Sequence, residues 1–234
     1  MLAAVPEYVD LLESLRRGAN VCYDSPRALL LEQEGVYMMA ATDDAAALEA
    51  LAHLPARVDL VAVHNRVALP YLARRHGLVH GGCCVQVMYD RPELMPSAGV
   101  LDVAHPRPYD WEAVRTHYDL VEPDQLYEHF CSEDFFCGYY QGQLAGFAGL
   151  HYEGSMGMLY VFPEFRHRGF GQELVAHTVN RQIALGRYAY AHVFADNVVS
   201  IALQRKMGMT FARGNVWWLW RKEEDALPSS HGED

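Results

Sequence analysis

The chain has 234 residues, of which 51% are hydrophobic and 12% aromatic, ample to bury the core of one large domain or two small ones. A formal net charge of -11 with 21% charged residues repels an extended phosphate backbone or an anionic membrane, so neither nucleic acid nor a membrane is expected as a partner. No apolar run approaches the roughly 20 residues that cross a bilayer, and the start MLAAVPEYVD lacks the basic end and apolar core of a signal peptide, so a cytoplasmic chain is expected.

The elements of the first half are sparse. Ala28 to Leu31 and Val36 to Ala41 predict a hairpin around Gly35, and Asp43 is placed to cap a helix reaching His53. Val58 to Val63 reads as a strand, and Asn65 as the cap of a helix that ends at Gly77. The segment GGCCVQVMY that follows reads as an apolar stretch holding buried, inert thiols. Cys22, Cys83, Cys84, Cys131 and Cys137 are odd in number and lack Cys/His ligand spacing, so neither a disulfide framework nor a metal site is expected.

Between Asp90 and Pro108 four prolines with Ser97 and Gly99 oppose any long element, which places a domain junction here. Gly99 to Ala104 then suits a short strand, and Asp110 the cap of a helix through His117. Phe135 to Gln141 and Leu144 to His151 flank Gly142 as a hairpin, and Met156 to Phe162 is another strand. Val175, Val179 and Ile183 are helix-spaced and stop at Gly186. Tyr188 to Ala195 is a strand, Asn197 caps a helix closed by Gly208, and Phe211 and Val216 to Arg221 supply the last strands. Alternating strands and helices require an α/β or α+β fold with a mixed sheet and helices on its faces. The two cap-to-cap helices, Asn65 to Gly77 and Asn197 to Gly208, fit a diverged internal repeat as well as they fit chance similarity.

The segment MLYVFPEFRHRGFGQELV joins a strand to a helix through Arg166, His167, Arg168, Gly169, Phe170 and Gly171. A helix N-terminus offers unpaired amides and the positive end of the dipole, and two missing side chains let an anion reach them. Arg166 and Arg168 add local charge, which the acidic average does not cancel because screening limits its reach to about 10 Å. The pattern is neither a GxGxxG dinucleotide fingerprint nor a Walker loop, and it points to a pyrophosphate.

On these residues, 97 to 222 resemble the GNAT acyltransferase superfamily, VFPEFRHRGFGQELV its coenzyme-binding motif and DNVVSIALQRKMGMTF the Asn-initiated helix and strand that follow. The two-part layout is similar to the glycine N-acyltransferase-like branch, whose first half is a degenerate copy of the fold. The resemblance implies a mostly antiparallel mixed sheet flanked by helices, a degenerate GNAT-like domain over 1–96, a catalytic domain over 97–222 and a polar tail over 223–234. It implies acetyl-CoA or another acyl-CoA as co-substrate and a small amine or amino acid as acceptor, in a monomer or homodimer, with no coenzyme in the first half. It also implies that Tyr160, Val161 and Phe162 present main-chain groups to the pantetheine arm, that amides from Arg168 to Gln172 hold the pyrophosphate, and that Asn197 and Ser200 meet the pantetheine and thiol end. For the base the reading favours Glu153, with His151 beside it. Many relatives carry a tyrosine acid where this chain has Gln204, which cannot give up a proton, so Tyr160 and Tyr190 become substitutes and a non-catalytic acyl-CoA sensor stays open as the alternative. Trp217, Trp218 and Trp220 read first as sheet core and second as an acceptor wall.

Overall fold

A computed structural model describes residues 5–221. Helix α1 (Val9–Arg16) precedes a meander of β1 (Asn20–Ser25), β2 (Ala28–Gln33) and β3 (Val36–Ala41). Helix α2 (Asp44–Leu51), β4 (Leu60–Val63), α3 (Ala68–His76) and the long β5 (Leu78–Tyr89) complete the first half. The second half runs β6 (Asp102–Ala104), α4 (Trp111–His117), α5 (Pro123–Phe130), β7 (Phe135–Tyr140), β8 (Gln143–Leu150), β9 (Met156–Val161), α6 (Phe170–Ala184), β10 (Ala189–Phe194), α7 (Val198–Lys206) and β11 (Thr210–Arg221). The expected hairpins form. Gln141 and Gly142 both take positive φ (52° and 81°) between Tyr140 and Gln143, the two-residue turn that matches strand twist.

Four elements went unforeseen in the sequence: α1, β1, β5 and α5. Two expected caps are corrected. The Asn65 side chain does not cap α3, whose N-cap is Val67; its Oδ1 accepts from the Ala41 amide at 2.8 Å and its Nδ2 donates to the Ala41 carbonyl at 3.1 Å, stitching the end of β3. Asp110 does not bond forward into α4 either. Its Oδ2 accepts from the Arg107 amide at 2.7 Å and the Tyr139 hydroxyl at 2.6 Å, both behind the helix. Asp43 does cap α2, accepting from the Ala46 amide at 3.0 Å.

The strands form two sheets, a seven-stranded one in the order β1-β2-β3-β4-β11-β5-β10 and a four-stranded one in the order β6-β7-β8-β9. All pairings are antiparallel except β3 with β4. The succession strand, strand, strand, helix, strand, helix, strand occurs twice, once from β1 to β5 and once from β7 to β11. The pairing then crosses over. β4 takes β11 as its neighbour, β10 takes β5, and β5 and β11 pair with each other at the centre, so the expected halves 1–96 and 97–222 share one sheet.

The cores follow this layout. Apolar residues of β2, β3, β4, α2 and α3 bury one cluster, which Leu219 of β11 completes, while an aromatic cluster of Phe130, Phe135, Phe147, Phe162 and Phe165 fills the second half. The linker lies along α6, whose Asn180 bonds both main-chain groups of Met95 and whose Glu173 accepts from the Val100 and Leu101 amides at 2.9 and 3.0 Å. Among the described residues no helix is long and apolar enough to cross a membrane. The expected polar tail, 223–234, lies outside the described residues.

Candidate active site

The two sheets part between β9 and β10, and that seam is the cleft. β9 is the last strand of one sheet and β10 the last of the other, with no ladder between them. The matching seam of the first half is shut, because β3 and β4 pair from Val36–Leu60 to Met39–Val63. What bends β9 is a bulge: the register to β8 slips between Phe147 and Gly149, and Met158 sits at φ 50°. A non-glycine residue in that region is rare, and bulges re-aim a strand locally.

At the end of β9 the chain makes a single 3-10 turn (Pro163–Phe165), then His167 and Gly169 take positive φ (62° and 85°) before α6 begins at Phe170. The amides of Gln172 and Glu173 both bond the Gly169 carbonyl, so those of Phe170 and Gly171 precede the first intrahelical bond and stay open. Gly169 is the N-cap and offers no side-chain cap. A Cβ there would meet nothing within 4 Å, and one on Gly171 would touch only Val161 at 3.7 Å and Leu203 at 3.9 Å. These bare amides at the positive end of a 15-residue helix suit a pyrophosphate, so the residues fit the group that the loop implied.

The arginines of the loop lie on aromatic rings. Arg166 donates through Nε to the Val161 carbonyl at 3.0 Å with its guanidinium 5.5 Å from the Tyr160 ring, and Arg168 stands 5.7 Å from Tyr140 and 5.8 Å from Phe165. Such stacking fixes long side chains that would otherwise wander in solvent.

The expected main-chain contacts along β9 need correction. Phe162 has neither group free, since its amide bonds the Ala145 carbonyl at 3.0 Å and its carbonyl accepts from the Phe165 amide at 2.9 Å. Antiparallel alternation turns the main chain of Tyr160 toward β8 as well and leaves only Val161 facing the seam.

The cleft walls include Tyr118, His151, Met158, Thr178, His192, Asn197, Ser200 and Gln204. Asn197 caps α7 as the spacing predicted, its Oδ1 accepting from the Ser200 amide at 3.0 Å. Gln204 lines the cleft and is buried, and its Oε1 has no protein partner, at the position where the resemblance implied a phenol. His151 lines the cleft. Glu153 is buried beneath it, its Oε1 accepting from the Ser155 hydroxyl and its main-chain oxygen from the Tyr190 hydroxyl at 2.9 Å. Tyr190 is thereby committed, and Tyr160 stacks on Phe147 at 5.6 Å within the aromatic core, away from the cleft walls.

His192 is tempting as a base but is spent. The Trp218 Nε1, which can only donate, reaches its Nδ1 at 3.2 Å, so the ring proton is on Nε2, donated to Gln86 Oε1 at 2.7 Å. Burial holds its pKa below the usual histidine value and keeps it neutral. Nearby, the fully buried Asp10 of α1 bonds His64 at 2.8 Å. Desolvation raises the carboxyl and the charge and hydrogen bond of His64 lower it, with a net depression. Tyr118 went unnoticed in the sequence. It follows α4 in an ordinary segment, THYDL, and only the fold brings it to the cleft.

Residues 103–209 match the Acetyltransferase (GNAT) family. No curated protein matches the chain. Among solved structures, a Drosophila malonogaster protein is similar at 18% identity and a TM-score of 0.60, over 82% of this chain and 73% of that one. A GNAT-family protein of Novosphingobium aromaticivorans DSM 12444 is 18% identical with a TM-score of 0.57, over 94% of this chain and 97% of its own. A GCN5-related N-acetyltransferase from Kribbella flavida is 13% identical with a TM-score of 0.54, over 95% and 97%. Residues 103–209 are therefore similar to the GNAT acetyltransferases in sequence, and the chain shares its mixed α/β fold with these proteins over most of its length.

Proposed function

We propose that the protein transfers an acyl group, acetyl by default, from its coenzyme A thioester to the primary amine of a small molecule or amino acid. The carrying observation is the pairing of an open helix N-terminus at Gly169 to Gly171 with a strand seam that stays unzipped beside it. The first anchors a diphosphate, and the second admits the arm and thioester that trail from it. The first half offers neither feature, since its seam is closed and its α2 N-terminus is capped by Asp43. In this reading it carries no coenzyme and shapes the acceptor side.

In the reaction the amine nitrogen attacks the thioester carbon directly, the carbon–sulfur bond breaks and no acyl-enzyme forms. Of the two groups at the turn before β9, His151 lines the cleft and takes the amine proton. Glu153 lies beneath, reaching substrate only through water. Gln204 can hydrogen-bond the departing sulfur but supplies no proton, which water then provides. That same glutamine favours the second reading, a sensor that binds acyl-CoA without turnover.

Calorimetric titration with acetyl-CoA and thiol release with a panel of amines separate the two. The enzyme binds and releases thiol; a sensor binds only. Gly171→Glu places a carboxylate at the anion site and should abolish binding with the fold intact by circular dichroism. Unchanged affinity in that variant would remove the loop from the assignment.

A further inference from the structure

We infer that the Tyr118 hydroxyl is the side-chain donor to the thioester carbonyl oxygen as it becomes an oxyanion. The inference rests on the acyl-transfer reading of the same cleft. Tyr118 is the C-cap of α4, with its amide on the Val114 carbonyl at 3.1 Å, and Val114 is fully buried. Its ring meets Phe147 edge-on at 6.4 Å. Main chain and ring are thus both anchored, and the phenol projects to the cleft wall beside His151 and Met158.

The bulge supplies the second half of the argument. The main-chain N–H of Met158 acts on the phenol, lowering the pKa that burial raises. An N–H can only donate, so it makes no demand on the hydroxyl's own proton, which stays free for a ligand in the cleft. Met158, at φ 50°, falls where the β8–β9 register slips, so its amide is not held by a paired residue of β8.

Other roles for the phenol fail on chemistry. Burial first, then the charges of Glu153 and Asp119, raise its pKa well above the ordinary tyrosine value. It stays protonated and cannot act as base. Nor can it protonate the leaving thiolate, which is far less basic than such a phenolate. What remains is donation without transfer: the amine attacks, negative charge collects on the carbonyl oxygen, and the phenol keeps its proton throughout.

The test compares the full chain with Tyr118→Phe, which keeps the ring packing on Phe147. Infrared spectra of bound carbonyl-13C acetyl-CoA should show a carbonyl stretch at lower frequency in the parent protein than in the variant. In turnover the variant should lose about 10²-fold in kcat, as for removal of one oxyanion donor, with KM for acetyl-CoA changed less than threefold. Equal carbonyl frequencies, or a kcat within threefold of the parent, overturn the inference. If acetyl-CoA binds but no amine is acylated, the acyltransferase reading falls and the infrared comparison alone decides Tyr118. If acetyl-CoA does not bind, both fall.

Discussion

His129 sits at the end of α5 with its ring 4.2 Å from Tyr152 and 6.2 Å from His151. Burial, and then the neighbouring His151, lower its pKa from 6.5 to about 4. The unfolded chain therefore takes up a proton as pH falls through 6.5, while the fold refuses it until about pH 4. Stability should decline by about 3 kcal/mol across that window, at 1.36 kcal/mol per pKa unit, and stay flat with respect to this group below it. Urea unfolding at pH 7 and pH 4.5 measures the loss, and His129→Gln should show less of it. At this scale the sequence was legible wherever one residue type has one use. Gly169, Gly171 and Asn197 do what their types demand. Asn65 has the same side chain as Asn197 but spends it on Ala41, because position beside a neighbouring strand decides which amide it meets. Tyr118 and Met158 were illegible: a phenol after a helix and a methionine in the left-handed region carry no local signal.

Among the elements, β8 explains how α6 approaches its sheet. A Cβ on Gly146 would stand 2.4 Å from the Tyr160 carbonyl oxygen and 3.1 Å from Leu174 of α6. Backbone cannot step aside as a side-chain tip does, so Gly146→Ala should destabilise the protein by about 1–3 kcal/mol and loosen β9. A lowered urea midpoint together with weaker acetyl-CoA binding would be the expected pair of observations. β5 shows why a strand can hide. Glycines usually weaken a strand, and Gly81 and Gly82 made this one read as a mere apolar stretch. Here they let two rings lie directly on the sheet, for a Cβ on Gly81 would fall 1.7 Å from Trp220 and one on Gly82 2.3 Å from Phe194. The tryptophans then divide: Trp217 packs on the first core, Trp218 fixes His192, and Trp220 covers Gly81. The loop before α6 was readable because every requirement of an anion site is local, whereas the bulge and the β5 pairing depend on partners distant in the chain.

For the whole molecule, the crossed pairing governs how it folds. β4 and β10 each depend on a strand from the other half, and the two lent strands lie side by side at the centre of the sheet. Fragments 1–96 and 97–234 each lack one long strand of the shared sheet, and with it one wall of a core. Neither should fold alone, while the two mixed in equal amounts should regain a single cooperative thermal transition. A stable, cooperative 97–234 fragment would show instead that the exchange is dispensable. Sequence reading reached the repeated order of elements but not the exchange, since nothing local says which of two similar strands will pair with which neighbour.

The linker adds a mechanical consequence. Glu173 grips Val100 and Leu101 from the first turn of α6, and Asn180 grips Met95 about two turns further on. The helix whose tip would clasp a diphosphate is thus bolted along its flank to the covalent bridge between the halves. Any tilt of that helix on ligand capture drags the bridge with it and passes as torque into β5, the strand that backs β10 on the far wall of the same cleft.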